Sequence, residues 1–192
     1  MGAYPTIGAT KPRYLMPTWS RLAFGNELKS GKAWSMFIGR IALGFLFLWS
    51  GIGKVQTLLA GKSATSGFLS GASVAGSPFA AFFNSLAGNP VAEYLVVAGE
   101  FAIGMSLVFG VFTRIGSVSG GLMMLLFTVA MWPIADTAGA NPLVDYRVIY
   151  GVMFAMFFFL RPGLFLGVDG IVQRLGFVER RPRLHRVLHA LG

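Results

Sequence analysis

The chain has 192 residues, 55% of them hydrophobic and 12% charged, with a mean hydropathy of +0.67; an ordinary soluble domain carries roughly 25% charged residues. Seven acidic and 16 basic side chains cannot cover a 20.6 kDa body, so most of its surface faces something other than water, and the chain reads as an integral membrane protein. The absence of cysteine excludes a disulfide framework, a thiolate nucleophile, Cys-ligated iron–sulfur centres and Cys-type zinc sites.

A net charge of +9 raises the question of nucleic acid, and the positions of the cations answer it. Lys11, Arg13, Arg21, Lys29 and Lys32 precede the first long apolar run, while Arg161, Arg174, Arg180, Arg181, Arg183 and Arg186 follow the last. The aromatics belong to the apolar segments and do not interleave with the basic residues, so no nucleic-acid partner is expected. Clustering of cations at both ends is a topology signal: it places both termini in the cytoplasm.

A basic segment, residues 1–33, opens the chain. It lacks a continuous apolar run, so no cleavable signal peptide is expected. Four stretches then approach the roughly 20 residues that cross a bilayer: Trp34 to Val55, Val91 to Phe112, Ile115 to Trp132 and Leu143 to Leu160. The expectation is an all-α, integral membrane four-helix bundle over residues 34–160. The first connection, about 56–90, is rich in Gly, Ser and Ala but contains Phe68, Leu69, Phe79, Phe82 and Phe83, which predicts a packed interfacial or re-entrant piece. Thr113 and Arg114 read as a tight turn joining the second and third helices in a hairpin. Gly116, Ser119, Gly120 and Gly121 form a small-residue stripe that lets a neighbouring helix approach closely. Residues 161–192 read as a basic amphipathic tail lying on anionic lipid, with Leu184, Val187, Leu188 and Leu191 turned inward. His185 and His189 have a spacing compatible with metal binding but lack a third ligand nearby, so no metal is predicted.

A charge at membrane depth costs at least a few kcal/mol, which makes the intramembrane ionisable residues the functional candidates. Arg40 lies about 9 Å inside the first helix, on a face shared with Gly44, Phe47, Gly51 and Lys54. An interior ion pair, a snorkelling side chain and a direct substrate contact all fit it. Glu100 sits near the centre of the second helix with apolar or small residues on both sides, so it needs either a cation, for which Arg40 is the nearest plausible partner, or a proton. Glu93 shares its face, about 10 Å away along the axis. At the outer end, Lys54 and Arg147 could hold an anion, with Tyr146, Tyr150 or Asn141 donating hydrogen bonds and Asp145 beside them; interfacial anchoring is the alternative.

The run from Arg40 through Phe47 to Trp49-Ser50-Gly51-Ile52-Gly53-Lys54 resembles the first helix of the DoxX and DoxD membrane proteins. Gly99-Glu100-Phe101-Ala102-Ile103-Gly104 with Gly110-Val111-Phe112-Thr113-Arg114 is similar to their second helix and turn, and Asn141-Pro142-Leu143-Val144-Asp145-Tyr146 to the start of their fourth. The resemblance spans about Arg40 to Asp169. The long first loop ending in Asn89-Pro90 is most like DoxD, the small subunit of thiosulfate:quinone oxidoreductase. That likeness implies a multi-pass cell-membrane protein in which thiosulfate is oxidised while a membrane quinone, as substrate, is reduced. It also implies a companion subunit or a homo-oligomer. Under it, Arg40 and Glu100 would serve the quinone and its protons, and Lys54, Arg147, Tyr146, Asp145 and Glu93 the substrate side. The DoxX likeness also admits a non-catalytic accessory or assembly subunit of an oxidoreductase or oxidase complex.

Overall fold

The computed structural model describes residues 20, 23–24, 30–132, 144–175 and 182–192. The described residues form helices and no strands: α1 (Gly31–Leu59), three short helices α2 (Ser66–Leu69), α3 (Ala72–Ala75) and α4 (Ala80–Ser85), then α5 (Pro90–Phe109), α6 (Thr113–Ala130) and α7 (Tyr146–Leu160). A 3₁₀ turn (Pro162–Leu164), α8 (Val168–Gln173) and α9 (Pro182–Leu191) follow. α1, α5 and α6 are long and apolar enough to cross a membrane. α7 has 15 residues, about 22 Å of helix, and is shorter than the fourth span expected from the sequence. The stretch 133–143, which includes Asn141, lies outside the described residues.

The helix ends follow from local chemistry. Ser30 caps α1 by accepting from Ala33 N at 3.3 Å. Asn89 Oδ1 accepts from Val91 N at 2.9 Å and Ala92 N at 3.3 Å, with Pro90 at the first helical position, where a missing N–H costs nothing. Asp145 caps α7 through Arg147 N at 2.8 Å and Val148 N at 3.2 Å. Gly110, at φ 66°, ends α5 in the left-handed conformation that glycine adopts without strain. The hairpin turn is therefore residues 110–112, and Thr113 and Arg114 are already the first residues of α6, a correction to the expected turn.

α1 packs chiefly on α5, and α6 on α7, with α5 against α6 joining the two pairs. The close approach of α1 and α5 rests on three glycines. A Cβ on Gly44 would meet Leu107 Cβ at 2.7 Å, one on Gly51 would meet the Phe101 backbone at 2.8 Å, and one on Gly104 would run into the Leu48 backbone. The predicted small-residue stripe of α6 is a packing face: a Cβ on Gly120 would strike the Phe154 ring and one on Gly116 would strike Ser106. Between the helices, Leu43, Phe47, Ile103, Leu107, Met124, Phe154 and Phe157 form the core, with the Phe47 and Phe154 rings edge-to-face at 5.3 Å.

The first connection is a folded lid. Leu69, Val74 and Phe83 from α2 to α4 bury themselves against Ala130 at the end of α6, and Ser77 Oγ donates to Val129 O at 3.2 Å. Glu93 fastens the lid to α5: its Oε1 accepts from Ser63 Oγ at 2.8 Å, Thr65 N at 3.3 Å and Ala64 N.

The opposite end is closed by the segment after α7. No local side chain caps α6; Asp169 does so from α8, accepting from Phe112 N at 2.7 Å, Thr113 N at 2.9 Å and Thr113 Oγ1 at 2.9 Å. Arg40, wholly buried, donates from Nη2 to Leu166 O at 2.9 Å, stacks 5.3 Å from the Phe37 ring centroid and feels the Asp169 charge. Phe112, Arg161 and Leu166, the non-glycine residues with positive φ among those described, all belong to this knot. Burial lowers the Arg161 pKa, with Arg114 adding to the effect and Asp169 opposing it. α9 falls within the tail expected to lie on lipid. It docks on α6 and α8, where Arg161 Nε donates to Gly192 O at 2.9 Å and Gln173 Nε2 to Leu188 O at 3.4 Å. Val187 is exposed and Leu188 and Leu191 are half-buried. The Leu184 side chain lies outside the described residues.

Candidate functional site

Beneath the lid lies a cavity of about 580 Å³. It is enclosed by the last turns of α1, the first half of α5, the second half of α6, the start of α7 and the lid itself. Phe68, Phe82 and Phe83 line it from the lid, Met123 and Phe127 from α6, and Tyr146 and Tyr150 from α7.

One polar cluster breaks this apolar lining. Glu100 accepts from Lys54 Nζ at 2.6 Å and from Ser50 Oγ at 2.7 Å, and Lys54 Nζ also donates to Ser50 Oγ at 2.8 Å. The Glu100 side chain is 4% exposed and that of Lys54 is 26%, so the carboxylate reaches its surroundings mainly through the lysine. Ser50 and Lys54 meet Glu100 because residues four apart share a helix face, and the glycine contacts bring that face of α1 against α5. Tyr146 and Tyr150 stand 5.7 Å apart across the chamber wall. Thr65 is buried in the lid, and its Oγ1 has no hydrogen-bond partner among the described residues.

The expected pairing of Glu100 with Arg40 does not form. Arg40 precedes Lys54 by 14 residues on α1, about 21 Å of helix, and is engaged at the other end of the bundle. Both cations of the expected Lys54–Arg147 anion site are engaged elsewhere. Arg147 is buried; its Nε is bound by the Asp145 carboxylate, its Nη1 donates to Phe127 O at 3.3 Å, and its guanidinium lies 5.8 Å from the Tyr146 ring centroid. Each cation is neutralised by its own carboxylate. Glu93 and Glu100 share the buried face of α5, but Glu93 serves the lid and lies outside the cavity.

Of the residues proposed from sequence, Lys54, Glu100, Tyr146 and Tyr150 converge on one cavity, whereas Arg40, Glu93, Asp145 and Arg147 do not line it. Ser50, Thr65 and the lid phenylalanines were missed as site residues. Ser50 could have been found from its four-residue offset to Lys54; Thr65 could not, because its place depends on how the lid folds. A neutral ion pair flanked by hydroxyl donors inside an aromatic chamber suits a neutral ligand bearing carbonyl or hydroxyl oxygens. A dianion would find its one available lysine already bound by Glu100.

Three helices long and apolar enough to span a bilayer, in a bundle whose described residues form helices and no strands, define a multi-pass membrane protein. Residues 35–132 match the family model described as DoxX, and the chain belongs to that family. The match covers α1, the lid, α5 and α6, and ends before α7, short of the Asp169 limit expected from sequence motifs. No curated protein and no solved structure matches the chain.

Proposed function

We propose that this DoxX-family protein is a membrane redox subunit whose lidded cavity receives a quinone from the bilayer, with thiosulfate or a related sulfur compound as electron donor. In that reaction two thiosulfates join through a new S–S bond and release two electrons, and the quinone takes these up with two protons to become a quinol. The observation that carries the reading is the Lys54–Glu100–Ser50 cluster in a largely apolar cavity with aromatic walls. The third N–H of Lys54 can donate to a quinone carbonyl, while Ser50 spends its hydroxyl proton on Glu100 and holds the pair in place, and Glu100 can accept and return a proton through Lys54. The ring fits among Phe68, Tyr146 and Tyr150, where apolar and stacking contacts favour a flat neutral head.

The donor side belongs to a companion chain on this reading, since Lys54 and Arg147 are both already paired. The basic residues at the two ends of the sequence support cytoplasmic termini, with the lidded cavity then on the outer side.

The test is anaerobic reduction of a soluble quinone analogue by thiosulfate, with the purified protein alone and with the chains that co-purify, beside Glu100→Gln. Reduction that depends on thiosulfate and falls at least about tenfold in the variant, a loss of about 1.4 kcal/mol or more in transition-state stabilisation, supports the reading. Quinone binding without reduction under any combination of chains would instead make the protein an accessory subunit, the reading under which Glu100→Gln lowers complex yield.

A further inference from the structure

A second hollow of about 740 Å³ lies on the flank of the bundle between α5 and α6, lined almost wholly by apolar atoms. On α5, Ala92, Leu95 and Val96 line the lidded cavity and Gly99, Ala102 and Ser106 line the flank hollow. Apart from the adjacent pair Leu95 and Val96, these positions advance by three and four residues along one helix face. On α6, Leu126 and Met123 line the cavity and Ser119 and Gly116 the hollow, again at steps of three and four. The two spaces therefore follow one another along the furrow between α5 and α6. Their boundary is Met123, whose Cε lies 3.1 Å from where a Cβ on Gly99 would be. An unbranched thioether side chain is the easiest kind to move aside, and glycine opposite it adds no side chain to the constriction.

We infer that the furrow is a single head-and-tail site: the lidded cavity takes the ring, and the α5–α6 hollow takes the isoprenoid chain of a prenylated quinone, which passes beneath Met123. This rests on the quinone reading above and adds where the chain of that lipid quinone lies, so that a tailed quinone is preferred to a free aromatic one. From Gly99 to Phe109 the hollow runs along about 15 Å of helix, enough for a chain that a tail-less quinone lacks. The head requirement argues for a neutral lipid, because Lys54 is matched by Glu100 and leaves no net charge for a phosphate. The chain exits sideways because Ala102 and Ser119 are exposed on the bundle flank.

The experiment measures equilibrium binding, in one detergent, of a farnesyl-tailed benzoquinone and of the same headgroup without a tail, to the native chain and to Ala102→Phe and Ser119→Phe. Both positions are exposed, so an added ring fills the hollow without entering the core. Detergent tails compete for the same groove, so the expected preference of the native chain for the tailed form is modest, about tenfold. Each variant should remove most of that preference and leave tail-less binding within about twofold of native. A preference that survives both substitutions overturns the inference, as does equal loss of both ligands. If the native chain binds the two forms equally, the tail site falls while the head site stands. If it binds neither, both fall.

Discussion

At the scale of single residues, the buried charges divide by what satisfies them. Arg147 and Glu93 are held by partners at the ends of the helices and fasten structure; Lys54 and Glu100 face a cavity. Replacing one member of a buried pair strands the other, whereas replacing both by apolar groups of similar volume is often neutral. Glu100→Met alone should therefore destabilise the protein by an amount near or below the low end of about 3–5 kcal/mol, given that Lys54 is partly exposed. Lys54→Met/Glu100→Met should recover most of that loss. Thermal unfolding in detergent checks both variants, and quinone binding by the double variant separates the roles. A stable protein that no longer binds places the pair's function in the ligand site, and retained binding would make the pair structural.

At the scale of elements, helix contacts matter more than helix propensity, since lipid gives little hydrophobic push for one apolar helix to seek another. Gly44, Gly51 and Gly104 bring α1 and α5 close enough for Ser50 and Lys54 to reach Glu100. Gly104→Ala places a Cβ against the Leu48 backbone, which cannot swing aside as a side chain can. It should cost about 1–3 kcal/mol by overpacking and loosen the Lys54–Glu100 contact. An unfolding midpoint unchanged from native would show that the two helices can part without penalty. The tail elements act in the same way at the other end: α6 begins correctly because Asp169 caps it from α8, so the segment after α7 is part of the bundle.

For the whole molecule, the testable quantity is orientation. A chain without cysteine allows single cysteines to be placed at will. Ser73→Cys in the lid should react with a membrane-impermeant thiol reagent added outside intact cells, and Arg186→Cys in α9 only after the cells are opened. The reverse pattern would invert the proposed topology and put the cavity on the cytoplasmic side. Arg114 and Arg161 stand at the same end as Arg186, so the three are expected to share one side.

Composition and hydropathy alone established a helical membrane protein, because a shortage of charge and runs of about 20 apolar residues leave few other solutions. The glycines that pack and the intramembrane carboxylate were legible for the same reason: each is an exception to an apolar helix and carries its own physical cost. Which cation meets Glu100 was not legible. Arg40 and Lys54 lie on one face of α1, and only the antiparallel placement of α5 decides that the carboxylate stands beside the second. The cavity was hidden too, since its walls come from a lid, three long helices and α7. The cap on α6 comes from a residue 56 positions further along. Local periodicity reports which face of a helix is buried; the partner on that face is set by long-range packing.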